Sequence, residues 1–93
     1  MKTLEMINLA NSVMPQALER LHTDMGHYVG DLDMTQMVVQ DAADQLRVLE
    51  LLSHGEAADA LEKMYYMDTE PREEMYTLLV AAGGEELFQK EEV

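Results

Sequence analysis

His22 and His27 are the side chains in this sequence best suited to hold a metal ion, and Asp24, Asp31 and Asp33 lie close enough in the chain to complete a ligand set. The spacing matches no familiar ligand pattern, and Gly26 between the two imidazoles works against a rigid i,i+4 pair. Asp31-Leu32-Asp33 begins like a calcium loop, but Gln36 stands where the loop needs glycine and Ala42 where it needs the terminal glutamate. These residues are therefore read as a solvated polar stretch with no metal. Nucleophilic chemistry has little to work with. The only serines are Ser12 and Ser53, neither framed by glycines, and no cysteine is present. Ser53 and His54 are chain neighbours that diverge at a helix end, a poor geometry for a nucleophile and its base. Gly83-Gly84 lacks a following Lys-Ser or Lys-Thr and has acidic neighbours, so it does not read as a phosphate loop. No catalytic, cofactor-binding or metal-binding residue is expected, and the chain reads as a non-enzyme.

Charge is the more informative property. The 93 residues carry 19 acidic and 6 basic side chains, a formal net charge of −13. Residues 1–23 are balanced, Glu5 and Glu19 against Lys2 and Arg20, so residues 24–93 hold the whole excess. Such a chain repels nucleic acid and anionic membrane and attracts basic protein surfaces. An apolar fraction of 47% argues for a packed core rather than a disordered acidic chain. No apolar run approaches the ~20 residues needed to span a bilayer. The opening Met1-Lys2-Thr3-Leu4 is followed too soon by Glu5, Asn8 and Asn11 to be a signal peptide, so a cytoplasmic protein is expected.

The elements that would position these groups are helical. Met6, Ala10, Val13, Met14, Ala17, Leu18 and Leu21 recur every three to four residues from Thr3 to about His22. Pro15 interrupts this stripe, which allows either a kinked helix or a stop near Ser12 and a restart with Pro15 in the first turn. Gly26–Leu32 reads as a connection. Asp33, with Gln36 three residues on, then caps a helix running through Val38, Ala42, Leu46, Leu49 and Leu52 to Ser53, with Gly55 beyond its end. Glu56–Met67 forms a shorter helix with Met64 and Tyr65 inward. Thr69-Glu70-Pro71 starts another, stopped by Gly83-Gly84. Glu85–Lys90 forms a last short helix, and residues 91–93 fray. The expected fold is all-α: one domain over residues 1–93, a compact bundle of four to five short helices.

Placed on these helices, the acids form a pattern. Asp41 and Asp44 share a face of the second helix, Glu56, Asp59 and Glu62 a face of the third, and Glu70, Glu73 and Glu74 crowd the start of the fourth. Like charges so spaced repel, and interspersed signs would serve stability better. The expected function is a binding module or inhibitor whose acidic face, Asp41 through Glu74, docks on a basic surface of a partner, in the sharper form a nucleic-acid-binding protein. By charge and size alone the chain resembles the nucleic-acid mimics that phages use against restriction and CRISPR systems, and no residue carries over from that likeness. The competing expectation is a helical adaptor, chaperone or antitoxin-like protein. It would use an apolar interface of Tyr66, Met67, Tyr76, Met14 and Leu18, because tyrosine and methionine favour adaptable interfaces. The charge-balanced segment 1–23 is also the natural face for a homodimer of so acidic a chain. Finally, lowering the pH toward the isoelectric point of 4.3, or adding salt, is expected to stabilise the fold by relieving repulsion.

Overall fold

The computed structural model describes residues 1–89. It contains α1 (Thr3–His27), α2 (Leu32–Ser53), α3 (Ala57–Tyr65), α4 (Thr69–Ala81) and a closing 3-10 turn (Glu85–Phe88), with no strand among the described residues. The all-α expectation holds. α1 and α2 form a long hairpin, and α2 also packs on α3 and α4. Helices of 25 and 22 residues are ~33–38 Å long, which is why the molecule measures 50 × 22 × 20 Å rather than being spherical.

α1 runs unbroken through both Pro15 and Gly26, so neither the restart at Pro15 nor the connection beginning at Gly26 occurs. Pro15 removes the N–H that would meet the carbonyl of Asn11, and in a helix interior this costs ~3 kcal/mol. Pro15 is exposed, so water can reach the freed carbonyl. Val13 and Ala17 on either side of it are buried, which holds both halves of the helix on the same core. With α1 extended to His27, the connection shrinks to Tyr28–Asp31, and Gly30 takes its positive φ of 90°. The cap of α2 moves accordingly from Asp33 to Asp31, whose Oδ1 accepts from the Met34 N–H at 3.1 Å.

Gly26 has a helical backbone, and a Cβ placed there would meet nothing within 4 Å. Gly26→Ala is therefore expected to stabilise the protein by ~0.5–1 kcal/mol through the lost freedom of the unfolded chain. That corresponds to a Tm increase of about 2–8 °C in a thermal melt followed by circular dichroism.

The ends of α2 and α4 match the glycine signals. Gly55 donates to the Leu52 carbonyl and Glu56 to the Leu51 carbonyl, both at 2.9 Å, a paired closure that needs the positive φ of 74° at Gly55. Gly83 and Gly84 close α4 in the same way on Val80 and Leu79. The core is drawn from every element: Val13 of α1, Val48, Leu49 and Leu52 of α2, Ala60 and Met64 of α3, Met75 and Leu79 of α4, and Leu87 of the final turn. Gln45, the one buried polar side chain among the described residues, donates to the Pro71 carbonyl at 3.1 Å and to Glu74 at 3.3 Å, fixing the start of α4 against α2. The last helix is a single 3-10 turn, Glu85–Phe88; Lys90, the expected end of that helix, and residues 91–93, expected to fray, lie outside the described residues.

Candidate partner-binding surface

Three carboxylates stand together on α3. Glu56 precedes its first turn, Asp59 lies within that turn, and Glu62 follows one turn later. All three are exposed, and none forms an ion pair among the described residues. They edge an open depression of about 470 Å³ that also takes in Arg47, Leu51, Lys63 and Tyr66. The i,i+3 spacing sets them ~4.5 Å apart along the axis. Glu56 and Asp59 sit at the positive end of the helix, which helps hold their charge there.

The other predicted acids divide between different surroundings. Asp44 is tied to Lys63 Nζ at 3.0 Å and accepts from Gln40 at 3.2 Å. Glu74 meets Arg20 Nε of α1 at 3.1 Å as well as Gln45. Both carboxylates are thus engaged in holding the helices together. Asp41, Glu70 and Glu74 line a groove of about 220 Å³ between α1, α2 and the start of α4, to which α1 adds Asp24. Glu73 faces elsewhere, into a hollow of about 300 Å³ with Tyr65, Arg72, Tyr76 and Phe88. The eight acids therefore do not make one continuous face. Five of the eight, Glu56, Asp59, Glu62, Glu70 and Glu73, are exposed and form no ion pair among the described residues; of these the α3 trio is the set that lines one depression together.

Within the groove the Asp41 carboxyl is pushed up from the ordinary aspartate range, first because burial strips water from it and then because Asp68, Asp44, Glu70 and Glu74 surround it with negative charge. A carboxyl whose pKa is higher folded than unfolded holds its proton more tightly in the folded state. Its ionised form opposes folding at neutral pH, and that penalty fades as the pH falls through the raised value. Asp41→Asn is accordingly expected to raise Tm by a few degrees at pH 7, with the difference from wild type shrinking as melts are repeated at lower pH.

The aromatic patch differs from expectation at two residues. Tyr65, read as core, is 73% exposed, while Met67, read as exposed, is only 5% exposed. The inward line of α3 passes through Ala60 and Met64, which leaves Tyr65 on the flank with its hydroxyl in water. The helix ends at Tyr65, so helical spacing no longer applies at Met67, and the turn carries that side chain into the core. Tyr66 is 76% exposed and meets Tyr65 edge-on, with ring centroids 5.1 Å apart at 90°. Tyr76 is exposed on one side and packs against Phe88 at 4.6 Å on the other. The carboxylate trio thus shares its depression with the open ring of Tyr66, against which Tyr65 stands edge-on, a combination suited to guanidinium and ammonium groups.

The single apolar stripe read along α1 splits in two. Met6, Ala10, Val13 and Ala17 are buried in the chain's own core, so they offer nothing to a partner. Met14 and Leu21 are half-buried, and Leu18 is exposed. The sequence alone could not separate these sets, because the apolar spacing of one face runs into that of the next.

His22 and His27 both lie on α1, where His27 packs edge-on against Tyr28 at 4.8 Å. Among the described residues no three His, Asp or Glu side chains are grouped to hold a metal ion. Ser12 and Ser53 spend their hydroxyls on the carbonyls of Asn8 and Glu50 in their own helix. No helix among the described residues is long and apolar enough to cross a membrane. A scan against protein-family models found no match to this chain, and comparison with curated proteins and with solved structures found none either.

Proposed function

We propose that this chain is a non-catalytic cytoplasmic binding protein that docks the α3 carboxylates Glu56, Asp59 and Glu62, with Tyr65 and Tyr66 beside them, on a basic surface of a protein partner. The observation that carries this reading is three exposed carboxylates gathered on one depression and engaged in no ion pair among the described residues, in a molecule that commits Lys63 to Asp44 and Arg20 to Glu74. Where lysine and arginine are so few, carboxylates left open cost folding stability through repulsion and are suited to long-range steering toward a cationic partner. In its sharper form the partner is a nucleic-acid-binding protein, and the carboxylates occupy the places of backbone phosphates, so the outcome is inhibition by occlusion, as in an anti-restriction or anti-CRISPR protein.

The test is capture of a partner on the immobilised protein at ~50 mM salt, followed by washing at ~500 mM and by competition with excess nucleic acid. Release by both supports the proposal. Retention through high salt rejects it and favours the second reading, a helical adaptor, chaperone or antitoxin-like protein that binds through apolar contacts. What favours that second reading is the exposure of Leu18, Tyr66 and Tyr76. In that case Leu18→Asp or Tyr66→Ala should abolish capture.

A further inference from the structure

α1 carries a second apolar seam besides the one it buries. Leu4, Asn11, Leu18 and Met25 recur every seven residues, and Ile7, Met14 and Leu21 fall between them at alternating spacings of three and four. This is the heptad pattern of a coiled coil held over three repeats, with a polar asparagine at one inner position. The structure separates the two series. Leu4, Asn11, Leu18 and Met25 are all exposed, whereas Ile7, Met14 and Leu21 are all half-buried. The seam therefore lies at the edge of the protein's own core with its outer half uncovered.

Its direction follows from the ion pair of Arg20 with Glu74 on α4. At ~100° per residue, Leu18 sits roughly 160° around α1 from Arg20, so the exposed row of the seam faces away from α4, while Leu21 of the half-buried row lines the groove beside Glu70 and Glu74. On α2, Leu32, Val39 and Leu46 also recur every seven residues. Val39 lies roughly 140° around that helix from Asp44, which binds Lys63 of α3. Leu32 and Val39 are exposed. The back of the α1–α2 hairpin is thus an apolar face on the side opposite the acidic helices.

We propose that a second copy of this chain covers this face, with α1 packed in parallel against α1 across a two-fold axis. Three observations select a like partner. No seam residue of α1 is charged, and the exposed positions Asn8, Pro15 and His22 beside it hold no carboxylate; Glu5 and Glu19 lie further round α1 and Asp33 borders Val39 at the rim of the α2 strip, so the centre of this face is the side on which two molecules of charge −13 can approach. The molecule is 20–22 Å thick, so carboxylates on the side opposite this face lie about two helix diameters from the other molecule, beyond a Debye length of ~8–10 Å. A parallel two-fold brings Asn11 against its own counterpart, where the two amides hydrogen-bond and set register and strand number. The seam is ~32 Å long, and with the α2 strip its flat footprint is ~500–600 Å² per molecule. Standard interfaces bury ~600–1,000 Å² per partner, so this one lies at or just below their lower end, and dissociation in the micromolar range is expected.

Sedimentation equilibrium from ~1 to ~200 μM, in ~0.5 M salt to screen repulsion, tests this. Wild type should approach twice the 10.6 kDa chain mass within that range. Leu18→Glu, which sets two carboxylates face to face, should weaken association at least ~100-fold while the helical circular dichroism is unchanged. Leu4→Glu, at a residue 68% exposed, should do the same without touching the core. Asn11→Leu should tighten the dimer by ~10-fold or more. A wild-type monomer at every concentration, or dimers of Leu18→Glu and Leu4→Glu as tight as wild type, would overturn the proposal. The outcome is independent of the acidic docking surface, because neither variant alters α3.

Discussion

Replacing Glu56, Asp59 and Glu62 together by lysine is expected to weaken capture of a basic partner by ~100-fold or more at ~150 mM salt, most of it through the lost attraction and the new repulsion across the interface. The three side chains are exposed and engage no cation among the described residues, so their replacement breaks no ion pair of the fold. The change does oppose the dipole at the start of α3, at a cost of ~0.3–1 kcal/mol per residue in the first turn. The milder set Glu56→Gln, Asp59→Asn and Glu62→Gln separates the two effects, since it removes attraction without adding repulsion. The control is Glu5→Lys with Glu19→Lys on α1, two exposed acids on another surface whose replacement changes net charge by about two thirds as much. If the α1 pair weakens capture as much as the α3 trio, binding follows net charge and the assigned surface is wrong. If only the trio matters, the site is local.

Gly84→Ala is expected to destabilise the protein by ~2–3 kcal/mol, a fall in Tm of about 10–20 °C. Gly84 is buried between α4 and α1, and an added Cβ would lie 2.6 Å from Leu9 Cδ2 and 2.8 Å from the Leu79 carbonyl oxygen. The leucine methyl can swing away. The carbonyl cannot, because it belongs to the last turn of α4 and accepts the N–H of Gly84 itself at 2.8 Å. The closure of α4 would have to open, and with it the placement of Leu87 in the core. The opposite sign expected for Gly26→Ala makes the pair diagnostic: the same chemical change stabilises where a helix has open space and destabilises where the Cβ would meet a fixed carbonyl and a buried leucine. A loss of only a degree or two at Gly84 would mean that the final turn slides freely on α1.

The fold class was legible in the sequence because its signals are local. Apolar spacing of three to four residues makes helices wherever it recurs, Gly55 and Gly83-Gly84 end them, and Thr69-Glu70-Pro71 starts one; each is a property of a few adjacent residues. The exposed α3 trio and Tyr66 were legible for the same reason, as spacing alone puts them on or beside one turn. What spacing could not decide depended on neighbours far away in the chain. Whether Pro15 breaks α1 was a contest between one lost hydrogen bond and the burial of Val13 and Ala17 in a core built with α2 and α4, and only packing resolves it. Asp44 and Glu74 looked like free acids because Lys63 and Arg20, which neutralise them, lie 19 and 54 residues away. Met67 turns inward because α3 stops two residues earlier. The division of α1 into a buried stripe and an open heptad seam was present in the spacing throughout, but two apolar series on one helix overlap in sequence. They separate only when tertiary structure sets which side of the helix meets the rest of the chain.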